Sequence, residues 1–151
     1  MKKFSFFCIV ASLFISAYAN SDSANFHPGL FLRRSFESRF GPQEQVQWYR
    51  TINNLFRADF ASQGISYSAY FDENNMYVST VRILAYDEIP GFVLKNVKSK
   101  MPGCAILNVV EFWNEEKHVY YVECSNSATS KMLCVEATDS FNIQGLLAGR
   151  K

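Results

Sequence analysis

The chain has 151 residues, 15 basic against 14 acidic, a formal net charge of +1, and 48% hydrophobic and 16% aromatic side chains. No basic block is present to displace counterions from phosphates, which argues against nucleic acid as a partner. The length suffices for one well-buried core.

The N-terminus, MKKFSFFCIVASLFISAYA, sets Lys2 and Lys3 before an apolar run and ends in the triplet Ala17, Tyr18, Ala19. That order predicts a cleavable signal peptide over residues 1–19, cut after Ala19, and a periplasmic or secreted address. The run is shorter than the ~20 residues a spanning helix needs, so no integral membrane segment is expected after cleavage. Cys8 lies inside the run and not at its end, which disfavours a lipid anchor. Cleavage leaves 13 basic residues against 14 acidic and three cysteines, Cys104, Cys124 and Cys134. An odd, irregularly spaced set is a poor disulfide framework. A hairpin centred near Ser127 would set Cys124 against Lys131 and Cys134 against Tyr121, so free thiols are expected, with a bridge to Cys104 left open.

Residues 20–28 read as a flexible lead. From Gly29 to Phe40, Leu32, Phe36 and Phe40 recur every fourth residue and Gly41-Pro42 closes the stretch, predicting an amphipathic helix. VQWYRT (46–51), LFRADF (55–60), ISYSAYF (65–71) and MYVSTVRIL (76–84) are rich in β-branched and aromatic residues and are separated by Asn, Asp and Gly turns, predicting four antiparallel strands. DEIPGFVLKNVKSKMPG (87–103) predicts a second helix. Asp87 or Glu88 would cap it, Pro90 would sit in its first turn, Ile89, Val93, Val97 and Met101 would line one side, and Pro102-Gly103 would end it. ILNVVEFW (106–113), HVYYVEC (118–124), KMLCVEA (131–137) and NIQGLLA (142–148) predict four more strands.

The pattern occurs twice: Phe40 corresponds to Met101, Phe60 to Cys124, Tyr67 to Leu133 and Phe71 to Ala137. The expected fold is α+β, a tandem repeat of helix plus four antiparallel strands, 29–86 and 87–151, forming one curved antiparallel sheet with helices packed on one face. Alternation turns Phe56, Ala58, Phe60, Ile65, Tyr67, Ala69, Phe71, Tyr120, Val122, Cys124, Leu133, Val135 and Ala137 toward the helices. The opposite face would carry Arg57, Asp59, Ser66, Ser68 and Tyr70, then Val119, Tyr121, Glu123, Met132, Cys134 and Glu136. Aromatic and methionine side chains amid mixed charge compose a protein-binding surface.

Motifs for catalysis are lacking. There is no G-x-S-x-G, H-E-x-x-H, phosphate-cradling glycine loop or C-x-x-C, and neither His27 nor His118 has a spaced partner for a metal or a relay. No catalytic residue, metal or cofactor is expected. Asp72, Glu73, Asn74 and Asn75 lack the later glycine and glutamate of a calcium loop and predict a hairpin turn. Trp48 and Trp113 are expected to pack in the core or at an edge.

FESRFGPQEQVQW, FRADF, ISYSAYFDENN, DEIPGFVLKNVKSKMPGCAI and YYVEC together resemble the PepSY-like family of exported bacterial proteins described as similar to the β-lactamase inhibitory protein. The resemblance covers roughly residues 30–147. It departs at Gly41-Pro42, where an aromatic-Pro pair is usual, at the shortened SFN turn, and at Gly145. It implies a tandem helix-plus-four-strand fold and non-catalytic binding, related modules being associated with restraining peptidases or occupying hydrolase clefts.

The expected function is an exported module that docks a periplasmic or secreted protein. Facing and chemistry select Tyr49, Arg57, Asp59, Tyr70, Tyr121 and Met132 as its partner-binding residues. The alternative is a carrier or sensor holding a small apolar ligand between helices and sheet, walled by Phe36, Phe56, Phe60, Tyr67 and Phe71.

Overall fold

A computed structural model describes residues 23–24, 26–126 and 130–137. The expected signal peptide (1–19) and the strand expected over 142–148 lie outside the described residues. Tight reversals organise the chain. Gln63 and Gly64 both take positive φ, 53° and 79°, and join strands β3 (Phe56–Ser62) and β4 (Ile65–Phe71) in a two-residue hairpin of the hand that matches strand twist. The Asp72–Asn75 run is a turn, as expected: the Asp72 carboxylate accepts the backbone N–H groups of Asn74 and Met76 at 2.9 and 2.8 Å. It leads into β5 (Tyr77–Ile83). The Asn114 side chain does the same for Glu116 and Lys117 between β6 (Ala105–Trp113) and β7 (His118–Ser125).

With β1 (Ser23–Ala24), β2 (Val46–Arg50) and β8 (Ser130–Glu136), the described residues form one antiparallel sheet of eight strands in sequence order. In the β7–β8 hairpin Cys124 stands opposite Lys131 and Cys134 opposite Tyr121, the register read from the sequence. Cys104, Cys124 and Cys134 are free thiols.

Helix α1 (Leu30–Phe40) buries the expected Leu32, Phe36 and Phe40. Gly41 ends it at φ 72°, where a Cβ would be strained, and its N–H reaches the Glu37 carbonyl at 2.9 Å. Helix α2 (Gly91–Lys100) begins later than the sequence implies. Proline forces the residue before it out of helical dihedrals, so Ile89 is extended at φ −67°, ψ 122°. Asp87 and Glu88 therefore belong to a separate 3₁₀ turn, Tyr86–Glu88, and cap nothing in α2. Pro90 supplies its carbonyl to the N–H groups of Val93 and Leu94.

Both helices pack on the same face. Ala58, Ala69, Thr80, Trp113 and His118 form one continuous row across β3 to β7 on the helix side. One core gathers Leu32, Phe36 and Phe40 with Phe60, Tyr67 and Phe71, and a second gathers Ile89, Val93 and Val97 with Val109, Val122 and Cys124. The side expected for Phe60, Tyr67, Phe71, Tyr120, Val122, Cys124 and Val135 is the side observed.

Candidate functional site

Among the described residues no helix packs on the opposite face. Its longest row runs Gln47, Asp59, Ser68, Val81, Phe112, Val119, Glu136 from β2 to β8. At the β2–β4 end, three of the expected binding residues converge. The Arg57 guanidinium lies 4.3 Å above the Tyr49 ring, and its Nε is 3.1 Å from Asp59 Oδ1. The Ser68 hydroxyl donates to the same carboxylate oxygen at 2.7 Å, and the Tyr49 hydroxyl donates to Gln47 at 2.7 Å. Each side chain is thus held by a neighbour across its row or two residues along its strand, so the group is preorganised.

Tyr70 belongs to this group but not to its surface. It lies between Arg57 and Ser79 in the next row and is only 5% exposed, a floor and not a contact residue. Alternation tells side, not depth: a residue on an interior strand has neighbours in its row on both flanks. Val119, also expected on this face, is buried for the same reason, as is its partner Phe112.

Tyr121 and Met132 lie at the far end. Tyr121 pairs with Val110 and Cys134, Met132 with Glu123, and Asn108 donates to the Glu123 carboxylate at 2.8 Å. Burial, then the neighbouring Cys134 and Glu136, pushes the Tyr121 phenol up to about 12. Three strand spacings, about 14 Å, and four residues along the strands, about 13 Å, separate Tyr70 from Tyr121. The expected residues thus form two groups on one face and not one cluster.

Sequence reasoning missed a buried polar knot between the two cores. Glu111 is 2% exposed on the helix side. One carboxylate oxygen accepts the Tyr120 hydroxyl at 2.8 Å and lies 2.8 Å from His118 Nε2, while the other bonds Arg82 Nε. Arg82 in turn faces Glu88 of the 3₁₀ turn at 3.7 Å, and Glu88 accepts the Ala85 N–H. Burial pushes the Glu111 carboxyl up, but the hydrogen bonds from His118, Arg82 and Tyr120 and the Arg82 charge outweigh it, and its pKa is lowered. His118 therefore has the acidic partner that the sequence did not reveal. The signal was present: alternation along EFWNEEKHVY puts Glu111, Trp113, His118 and Tyr120 on one side, a charge at a core position. A carboxylate this enclosed, with both oxygens engaged, ties β5, β6 and β7 together. Among the described residues no three His, Cys, Asp or Glu side chains converge on a metal position.

The aromatic residues expected to wall a ligand pocket instead fill the interior. Phe36 meets Phe60 at 5.1 Å edge to face and Phe60 stacks on Tyr67 at 5.5 Å. A cleft of about 610 Å³ opens beside them, between Phe26–Pro28, α1 and β2, with Phe36 and Trp48 at its apolar wall and Arg33, Glu37 and Gln43 on its polar side.

No family model matches the chain, and no curated protein does. Solved structures do. A DUF2874 family protein from Bacteroides ovatus superposes with a TM-score of 0.65 at 16% identity, over 83% of this chain and 87% of its own. A BLIP-like protein from Bacteroides fragilis superposes at 0.61 and 15%, over 78% and 94%. A candidate periplasmic protein from Bacteroides eggerthii superposes at 0.61 and 12%, over 74% and 83%. The chain shares their fold. The BLIP-like part of the expected resemblance is thereby supported at the level of architecture. Among the described residues no helix is long and apolar enough to cross a membrane.

Proposed function

We propose that the protein is a non-catalytic exported binding module whose helix-free face docks a periplasmic or secreted protein and restrains it, the target being a hydrolase or peptidase. In this reading residues 29–86 and 87–151 are duplicated halves of one PepSY-like domain, released by cleavage after Ala19. The observation that carries it is the preorganised Tyr49–Arg57–Asp59 group on a face that no described helix covers. Fixed aromatic and guanidinium groups lose little entropy on docking, the property of interface hot spots. Tyr121 and Met132 supply the second contact, and Tyr70 supports the first from below.

The test is capture from an envelope extract of the source organism with the wild-type protein and with Tyr49→Ala/Tyr121→Ala. One hydrolase or peptidase, retained by the wild type, lost by the double variant and slowed by stoichiometric wild type, is the expected result. Equal recovery on both baits would reject the face. A second reading, a small-ligand carrier, draws on the cleft between α1 and β2. Native mass spectrometry decides it: a stoichiometric bound mass released by denaturation favours the carrier, and a bare protein mass rejects it.

A further inference from the structure

The sheet sorts the thiols of its second half by side. Cys124 is fully buried in the core beneath α2, with Val97, Val109 and Val122. Cys104 is half-buried and packs against the same core, at the corner where α2 gives way to β6. Cys134, opposite Tyr121, is exposed on the other face. Ile106 stands directly opposite Cys124, and Cys104, two residues earlier and on the same side, is the diagonal neighbour of Cys124. Of the three ways to pair these thiols, the two that include Cys134 would have to pass through the sheet. Burial first, then the charges of Cys104 and Glu123, push the Cys124 thiol up, so Cys104 and Cys124 are electrostatic neighbours as well.

An ideal diagonal spans about 7–8 Å between Cα atoms, whereas a disulfide spans about 4.4–6.8 Å. Cys124 cannot make up the difference, because Ile106 and Lys131 hold it in the ladder on both flanks. Cys104 can. It lies outside β6, follows Gly103 at φ 77°, and its N–H reaches the Met101 carbonyl at 3.3 Å, long for such a bond.

We propose that Cys104 and Cys124 are a dithiol that closes to a disulfide in an oxidising compartment, stapling the α2–β6 corner to β7 while Cys134 stays free. The oxidant is a small-molecule or protein disulfide. The thiolate of Cys104, the more accessible of the pair, attacks one of its sulfurs and expels the first thiol, leaving a mixed disulfide. Cys124 then attacks Cys104 Sγ and expels the second. Two protein thiols are oxidised, one external disulfide is reduced, and both protons pass to the released thiols. The pairing rests on the fold and not on the docking reading, so each stands or falls without the other.

The experiment equilibrates the purified protein with oxidised and reduced glutathione, alkylates the remaining thiols and digests with trypsin without reduction. Cleavage after Lys100, Lys117, Lys131 and Arg150 puts Cys104, Cys124 and Cys134 on separate peptides, 101–117, 118–131 and 132–150. The expected product is 101–117 joined to 118–131, lighter than their sum by two hydrogens, with 132–150 alkylated. In urea the chain should instead favour Cys124 with Cys134, which closes the shorter loop, so the native product reports the folded geometry. On reduction the oxidised wild type is expected to lose about 5–10 °C of thermal midpoint, Cys134→Ser the same, and Cys104→Ser none. Alkylation of all three cysteines, a link to 132–150 in the folded protein, the same product distribution in urea, or a wild-type midpoint indifferent to reductant would each overturn the proposal.

Discussion

Glu111 holds a charge at a position where alternation asks for an apolar side chain, and it is tolerated because Arg82, His118 and Tyr120 enclose it. Removing the acid leaves a guanidinium half-stranded between the cores. Glu111→Gln is expected to cost about 3 kcal/mol at neutral pH, read from urea midpoints. Because the folded pKa lies below the ordinary glutamate value of about 4.5, the stabilisation is complete above that pH and is lost as pH falls toward the folded value. The gap between wild type and Glu111→Gln should therefore close on acidification, and a gap that widens would contradict the knot. Tyr121 behaves in the opposite sense. Its pKa is raised, so its contribution is complete below about pH 10 and is lost as pH climbs through about 12. Tyr121→Phe should thus lose less thermal midpoint than the wild type between about pH 9 and about pH 11.

Each helix rests on a stripe spaced by four, and those stripes were legible because the periodicity of an α-helix leaves little choice for Leu32, Phe36, Phe40, Val93 and Val97. Phe36 touches Phe40, Trp48, Phe60 and Phe71, so Phe36→Ala should cost about 3–5 kcal/mol in chemical denaturation, more than any one substitution on the outer side of α1. Gly41→Ala, with φ 72° and open space around a Cβ, tests backbone strain without a clash and should cost about 1 kcal/mol in the same measurement. The hairpin register of β7 and β8 was also legible, since the loop centre fixes which residues oppose. The start of α2 was not: acidic residues before a proline resemble caps, but Pro90 acts on its predecessor before any cap can act. Nor was the depth of Tyr70 or Phe112, because alternation along one strand contains no information about what its row neighbours cover.

At the scale of the molecule the strands follow one another in space as they do in sequence, which is why the sheet could be anticipated from turns alone. Docking chemistry is a different matter. The charge pattern of the face depends on which side each side chain takes: Arg82 bonds Glu111 on the helix side, and Lys131 stands opposite Cys124 there. Seven strand pairs join the sheet, and six of them, apart from β5–β6 across α2, involve strands that no described α2 residue separates. The β5–β6 union, carrying Arg82 and Glu111, must bridge residues 84–104 and so closes the longest loop among β2 to β8. A chain cut after β5 would therefore carry Arg82 without the enclosed carboxylate of Glu111, so the second half of the chain supplies the counter-charge that the first half needs.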